Sequence, residues 1–199
     1  TSTTTGLTFV KLGSAMKLNT KVTMFRAMKP SGLSNGTVTI NSGGETVDVI
    51  AWSIDEFDGG DTTGTDGSGA IVQVVTAVSA TTSSQAVTAT LAAFGSASNG
   101  TYFGAAWSGL VAFTTFTPTT GFTEAWDNVF NAITTKEGYH VAWRADNSTD
   151  CTSTSDGVGA VGEAGVVALE LKAAGAVAAG RVGHGALLSG IRNQVIQRV

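Results

Sequence analysis

Val166-Val167-Ala168-Leu169-Glu170-Leu171-Lys172 decides the fold. Val167, Leu169 and Leu171 fall on one side of an extended chain, and Glu170 and Lys172 on the other, the period-two signature of a strand. Tyr139–Trp143 repeats the pattern: Tyr139, Val141 and Trp143 point one way, His140 and Arg144 the other. Working outward, runs of strand length recur at Val22–Met28, Thr37–Ile40, Val47–Phe57, Ile71–Val75, Gln85–Leu91, Tyr102–Trp107 and Val111–Phe116. Turn residues such as Lys29-Pro30-Ser31-Gly32 and Asn41-Ser42-Gly43-Gly44 separate them. In Val47–Phe57, Ile50, Trp52 and Ile54 share one face and Val47, Val49 and Ala51 the other, which predicts a strand covered on both sides. Consecutive strands with no long helix between them predict an all-β chain, an antiparallel two-sheet β-sandwich or jelly-roll-like fold.

Two segments depart from this pattern. Phe122–Ile133 places Trp126, Val129, Phe130 and Ile133 at helical spacing and predicts a short helix or turn, with Glu124 and Asp127 serving its N-terminal electrostatics. After a sandwich domain over 1–174, residues 175–199 form a second unit. Ala173–Gly185 is Gly/Ala-rich, like an extended arm, and Leu188, Ile191 and Val195 then share one helical stripe near Arg181, Arg192 and Arg198. A helix this short needs a partner surface, which makes these six residues candidates for docking or oligomerisation.

Composition narrows the function. Of 199 residues, 13% are charged and 42% hydrophobic, so Thr, Ser, Asn and Gly must build much of the surface. All 15 acidic residues lie at or before Glu170 with seven of the 11 basic ones, a net of −8; Lys172, Arg181, Arg192 and Arg198 follow with no acid among them, a net of +4. An acidic body argues against nucleic-acid binding. No apolar run approaches the roughly 18 residues that span a membrane, so no membrane insertion is expected. The N-terminus has no signal-peptide pattern, and a start without Met suggests processing or a piece of a longer protein. Cys151, the sole cysteine, excludes an intrachain disulfide and a cysteine zinc site, and it reads as a residue of a Ser/Thr-rich loop.

Chemical motifs are sparse. The acidic loop from Asp55 to Asp66 offers Asp58, Asp61 and Asp66 as oxygen ligands for Ca²⁺, but its spacing is not that of an EF-hand and suits turn chemistry equally. Glu56 with Asp58 is a poor glycosidase pair, because a loop leaves their separation open. His140 reads as an outward strand residue, and His184 lies in a Gly-rich stretch; neither has a nucleophile motif beside it. Gly64–Gly69 lacks the Lys of a phosphate loop. No catalytic residue and no cofactor are expected. Among the four tryptophans, Trp52 and Trp143 sit in strand patterns and read as core. Trp107 and Trp126 adjoin loops and are the candidates for an exposed, sugar-stacking surface.

Two stretches carry a family resemblance. Val49-Ile50-Ala51-Trp52-Ser53-Ile54-Asp55-Glu56-Phe57-Asp58-Gly59-Gly60-Asp61-Thr62-Thr63-Gly64 followed by Gly67-Ser68-Gly69-Ala70-Ile71-Val72-Gln73, together with the later Thr90–Gly104 and Gly165–Ala174, resembles sandwich domains of tailed-phage structural proteins and related bacterial surface proteins. The resemblance covers most of residues 7–174. It lacks the strand block that usually precedes Leu7–Ala15, and its motifs are structural. It implies a non-enzymatic virion protein, a capsid decoration or fibre-type subunit whose partners are other virion proteins or copies of itself. The alternative is a secreted carbohydrate-binding or adhesive module at a cell surface, with a cell-surface glycan as ligand.

Overall fold

A computed structural model describes residues 2–3, 7–28, 37–40, 42, 44, 46–47, 49–81, 84–109, 113–131, 136–157 and 162–174. The expected arm and helix, with Arg181, Leu188, Ile191, Arg192, Val195 and Arg198, lie outside the described residues, as does His184. The described chain is all-β and antiparallel. The strands are β1 (Ser2–Thr3), β2 (Val10–Lys17), β3 (Thr20–Arg26), β4 (Val38–Thr39), β5 (Ile71–Val78) and β6 (Ala86–Thr90). They continue as β7 (Gly100–Gly109), β8 (Phe116–Pro118), β9 (Thr123–Asn131), β10 (Lys136–Arg144), β11 (Asp150–Ser155) and β12 (Glu163–Leu171).

A five-stranded sheet runs β5-β12-β7-β10-β9, and a three-stranded sheet runs β6-β11-β8. The two pack face to face. Phe103, Ala105 and Trp107 of β7, Ala142 of β10 and Ala164, Val166 and Ala168 of β12 meet Val87 and Ala89 of β6, Phe116 of β8 and Cys151 of β11. The hairpin β2–β3 lies on the opposite face of the large sheet, where Ala15 and Val22 close over Val167 with Met24, Val74 and Ala106 beside them. Small residues allow that approach: a Cβ on Gly165 would stand 3.1 Å from the Ala15 methyl, and one on Gly13 3.1 Å from Val74 and Thr76. Because β12 is covered on both faces, every residue from Ala164 to Glu170 is buried.

Several expectations are corrected by this arrangement. The described part of Phe122–Ile133 is not a helix; Thr123–Asn131 is β9, zipped to β10 from Thr123↔Trp143 to Asn131↔Lys136 with a bulge near Ala142. The helical spacing of Trp126, Val129 and Phe130 serves both faces of a strand equally well, and pairing with β10 decides between them. Val47–Phe57 contains no strand among its described residues. Side chains anchor it instead: Tyr102 donates to Asp55 Oδ2 at 2.5 Å, Ser53 Oγ bonds the same oxygen at 3.1 Å, and Tyr139 Oη lies 2.8 Å from Ser53 Oγ. Burial pushes both tyrosine hydroxyls above their ordinary pKa. His140 and Glu170, expected outward, both lie buried between the two sheets. Cys151 is not in a loop but inside β11, where burial pushes its thiol up to about 12.

Glu170 illustrates how the sheet manages a buried carboxylate. Gln73, its register partner on β5, donates to Oε2 at 2.6 Å, and Asn99 Nδ2 donates to Oε1 at 2.5 Å. Asn99 Oδ1 in turn accepts from the Ala173 amide, so one end of the sandwich is closed by a side-chain network. At the other end of the core, Gly138 leaves room for two rings. An added Cβ would collide with Phe116 and stand 2.8 Å from Phe113. Gly138→Ala is therefore expected to cost about 1–3 kcal/mol by overpacking, read as a lower midpoint of thermal unfolding.

Candidate functional site

The densest polar chemistry inside the molecule is centred on His140. Trp107 Nε1 donates to Ser153 Oγ at 3.1 Å, which leaves the Ser153 proton for His140 Nδ1, 2.8 Å away. On that assignment His140 carries its own proton on Nε2, directed at Glu124 Oε2 at 3.5 Å. That contact is too long for a hydrogen bond, and Nε2 is enclosed without another partner. The imidazole stacks on Phe116 and meets the edge of Phe103. Desolvation lowers its pKa to about 4, against a smaller opposing pull from Asp127, so the ring is neutral at pH 7. Glu124 is held above its ordinary range by desolvation and then by Asp127.

Serine, histidine and carboxylate thus stand in the order of a nucleophilic relay. The serine, however, is 0% exposed, walled in by Trp107 and the β6–β11–β8 sheet, and no substrate carbonyl can reach it. The relay fastens one sheet to the other: His140 and Trp107 come from the large sheet, Ser153 from the small one. Asp127, expected at a helix start, instead accepts from the Phe116 amide at 3.0 Å and Thr115 Oγ1 at 2.6 Å, fixing the entry to β8.

In the acidic loop, Asp61 is occupied. Lys172 Nζ lies 2.7 Å from Oδ2, and the Thr63 amide donates to Oδ1 at 2.8 Å, which together hold the carboxyl well below its ordinary range. Backbone bonds from Asp61 to Lys172 and from Ala174 to Gly59 sew the loop to the end of β12. Asp58 is exposed, and Asp66 sits at positive φ in the short 3-10 turn Thr65–Ala70, where its carbonyl accepts from Arg26. Among the described residues no group of three His, Cys, Asp or Glu is placed to hold a metal ion.

The tryptophans divide differently from expectation. Trp107 is only 1% exposed and is a core residue, because β7 is the middle strand of a doubly covered sheet. Trp126 stays partly exposed on β9. Trp143, expected in the core, is also partly exposed and lines an open cleft of about 300 Å³ with Gly121, Thr123, Arg144, Ala145 and Asp146. Arg144 clasps Asp146 through Nε and Nη2 there, so the cleft presents a neutralised ion pair.

The outer surface carries a second feature that pattern reading missed. Met16 (63% exposed) and Leu18 (61%) stand at the tip of the β2–β3 hairpin, and Val72 (49%) and Val78 (43%) stand on β5. β5 is an edge strand, paired only with β12 among the described residues, and its sequence, IVQVVTAV, has no charge, no Pro and no Gly. Edges are ordinarily blunted by such residues. No family model, no curated protein and no solved structure matches the chain. The resemblance to phage sandwich domains thus rests on the quoted motifs alone.

Proposed function

We propose that this chain is a non-enzymatic structural subunit of a virion surface, a capsid decoration or fibre-type sandwich that works by protein–protein assembly. The observation that carries this reading is the exposure of Val72 and Val78 on an uncharged edge strand, with Met16 and Leu18 exposed at the tip of the β2–β3 hairpin. Exposed apolar surface of this kind marks interaction sites on otherwise soluble folds. The internal use of the relay agrees with it, since Ser153 and His140 spend their hydrogen bonds on joining the sheets. The stripe Leu188, Ile191 and Val195, with Arg181, Arg192 and Arg198, supplies the anchor. Immunodetection on purified particles tests the reading. The full chain is expected to co-purify with particles, and a chain lacking 175–199 to stay soluble and unattached. Equal incorporation of both would remove the anchor; absence of the full chain from particles would remove the virion assignment.

A further inference from the structure

The edge of β5 has a specific geometry. The Ser79 amide bonds the Ala164 carbonyl of β12, so along the regular part of the strand the amides of Val78, Thr76 and Val74 point away from the sheet. Opposite Glu170 and Leu171 the register skips Val72, which is the bulged residue of β5, so the irregularity is confined to the Ile71–Val72 end. The two exposed valines, Val72 and Val78, stand symmetrically on either side of Val75.

We infer that β5 pairs with β5 of a second copy of this chain, antiparallel about a two-fold axis at Val75, joining two five-stranded sheets into one. The inference rests on the assembly reading above and names the partner. Three observations select a copy over an unrelated strand. A two-fold normal to the sheet keeps each face continuous and brings residues of like parity together: Val74 opposite Thr76, and Val72 opposite Val78. The outward amides and carbonyls of Val74 and Thr76 are then mutually satisfied, and the exposed Val78 comes beside the Ile71–Val72 end of the other copy. Finally, none of the eight residues of β5 is charged, so self-pairing opposes no like charges, whereas a lysine there would forbid it.

The test uses the full chain. Light scattering is expected to give a dimer, and Val78→Lys, at a position exposed in the single chain, a monomer with an unchanged far-UV spectrum and a midpoint that no longer depends on protein concentration. Register is read by cross-linking with a short bismaleimide, Cys151 being buried. Val72→Cys mixed with Val78→Cys is expected to cross-link, and Val72→Cys alone is not, because its copies lie roughly 20 Å apart along the strands. Hydrogen exchange is expected to be slow at Val74 and Thr76 in the dimer and fast in Val78→Lys. A dimer that survives Val78→Lys, or cross-links only between like positions, overturns this pairing and leaves the virion reading standing. A monomer with protected Val74 and Thr76 amides also overturns it, placing the cover within the chain itself. Failure of the virion reading shows separately, as absence from particles.

Discussion

Trp107→Ala is expected to lower the stability of the folded chain by about 4 kcal/mol, read as a shift in urea unfolding at unchanged slope. The indole fills the space between the sheets at 1% exposure, stacks on Phe116 at a centroid distance of 5.7 Å, and donates to Ser153. Truncation removes the packing, opens a cavity and leaves the Ser153–His140 pair short of one donor. Trp107→Phe separates these contributions. It keeps most of the ring and loses the N–H, so the expected cost falls to about 1–2 kcal/mol. Trp126→Ala, at a partly exposed edge position, is the contrast, with a loss of about 1 kcal/mol. Equal losses for Trp107→Ala and Trp126→Ala would refute the assignment of Trp107 to the centre of the core.

Acid is expected to loosen the sandwich in a window set by His140. The unfolded chain binds the His140 proton with its ordinary pKa of 6.5, and the folded chain only near 4. The histidine's contribution is therefore complete above pH 6.5 and disappears as the pH falls toward 4. The depression corresponds to about 3 kcal/mol. Glu124 acts in the opposite sense: its raised pKa means that the folded state takes up that proton more readily, which offsets part of the loss at the acid end. Asp61, Asp146 and Asp156 are held below 3.8 by their partners, and their contributions persist until the pH falls beneath that value. The His140 window is thus separable. Denaturant unfolding between pH 7 and 4 is expected to show falling stability in the natural chain and a flatter profile in His140→Gln. Parallel profiles would mean that the imidazole is not the group that titrates.

The same residues show how far the sequence could be read. Strands with large apolar residues at alternate positions, β10 and β12 above all, were legible, and with them the all-β class. β2 was not, because it meets the sheet through Gly13 and Ala15, whose merit is smallness and not hydrophobicity. β11 was hidden for a related reason: its inward residues are Cys151, Ser153 and Ser155, which resemble a loop until Trp107 and His140 are placed against Ser153. Pattern reading sent His140 and Glu170 outward because it assumed one wet face, and the large sheet has a cover on each side. The relay could not be anticipated at all. Ser153 and His140 come from strands of different sheets, and no spacing in the chain announces their contact.

The position of β12 has a consequence for how the chain is made. It is the last described strand to be synthesised, yet it lies in the interior of the large sheet, between β5 and β7. At the usual pace of translation, on the order of ten seconds separate the emergence of β5 from that of β12. Throughout that interval β5 lacks β12, its one sheet partner among the described residues, and β7, once made, lacks it too. The nascent sandwich therefore cannot close from its N-terminal end. It waits, with an uncharged strand bare, for its centre to arrive from the ribosome.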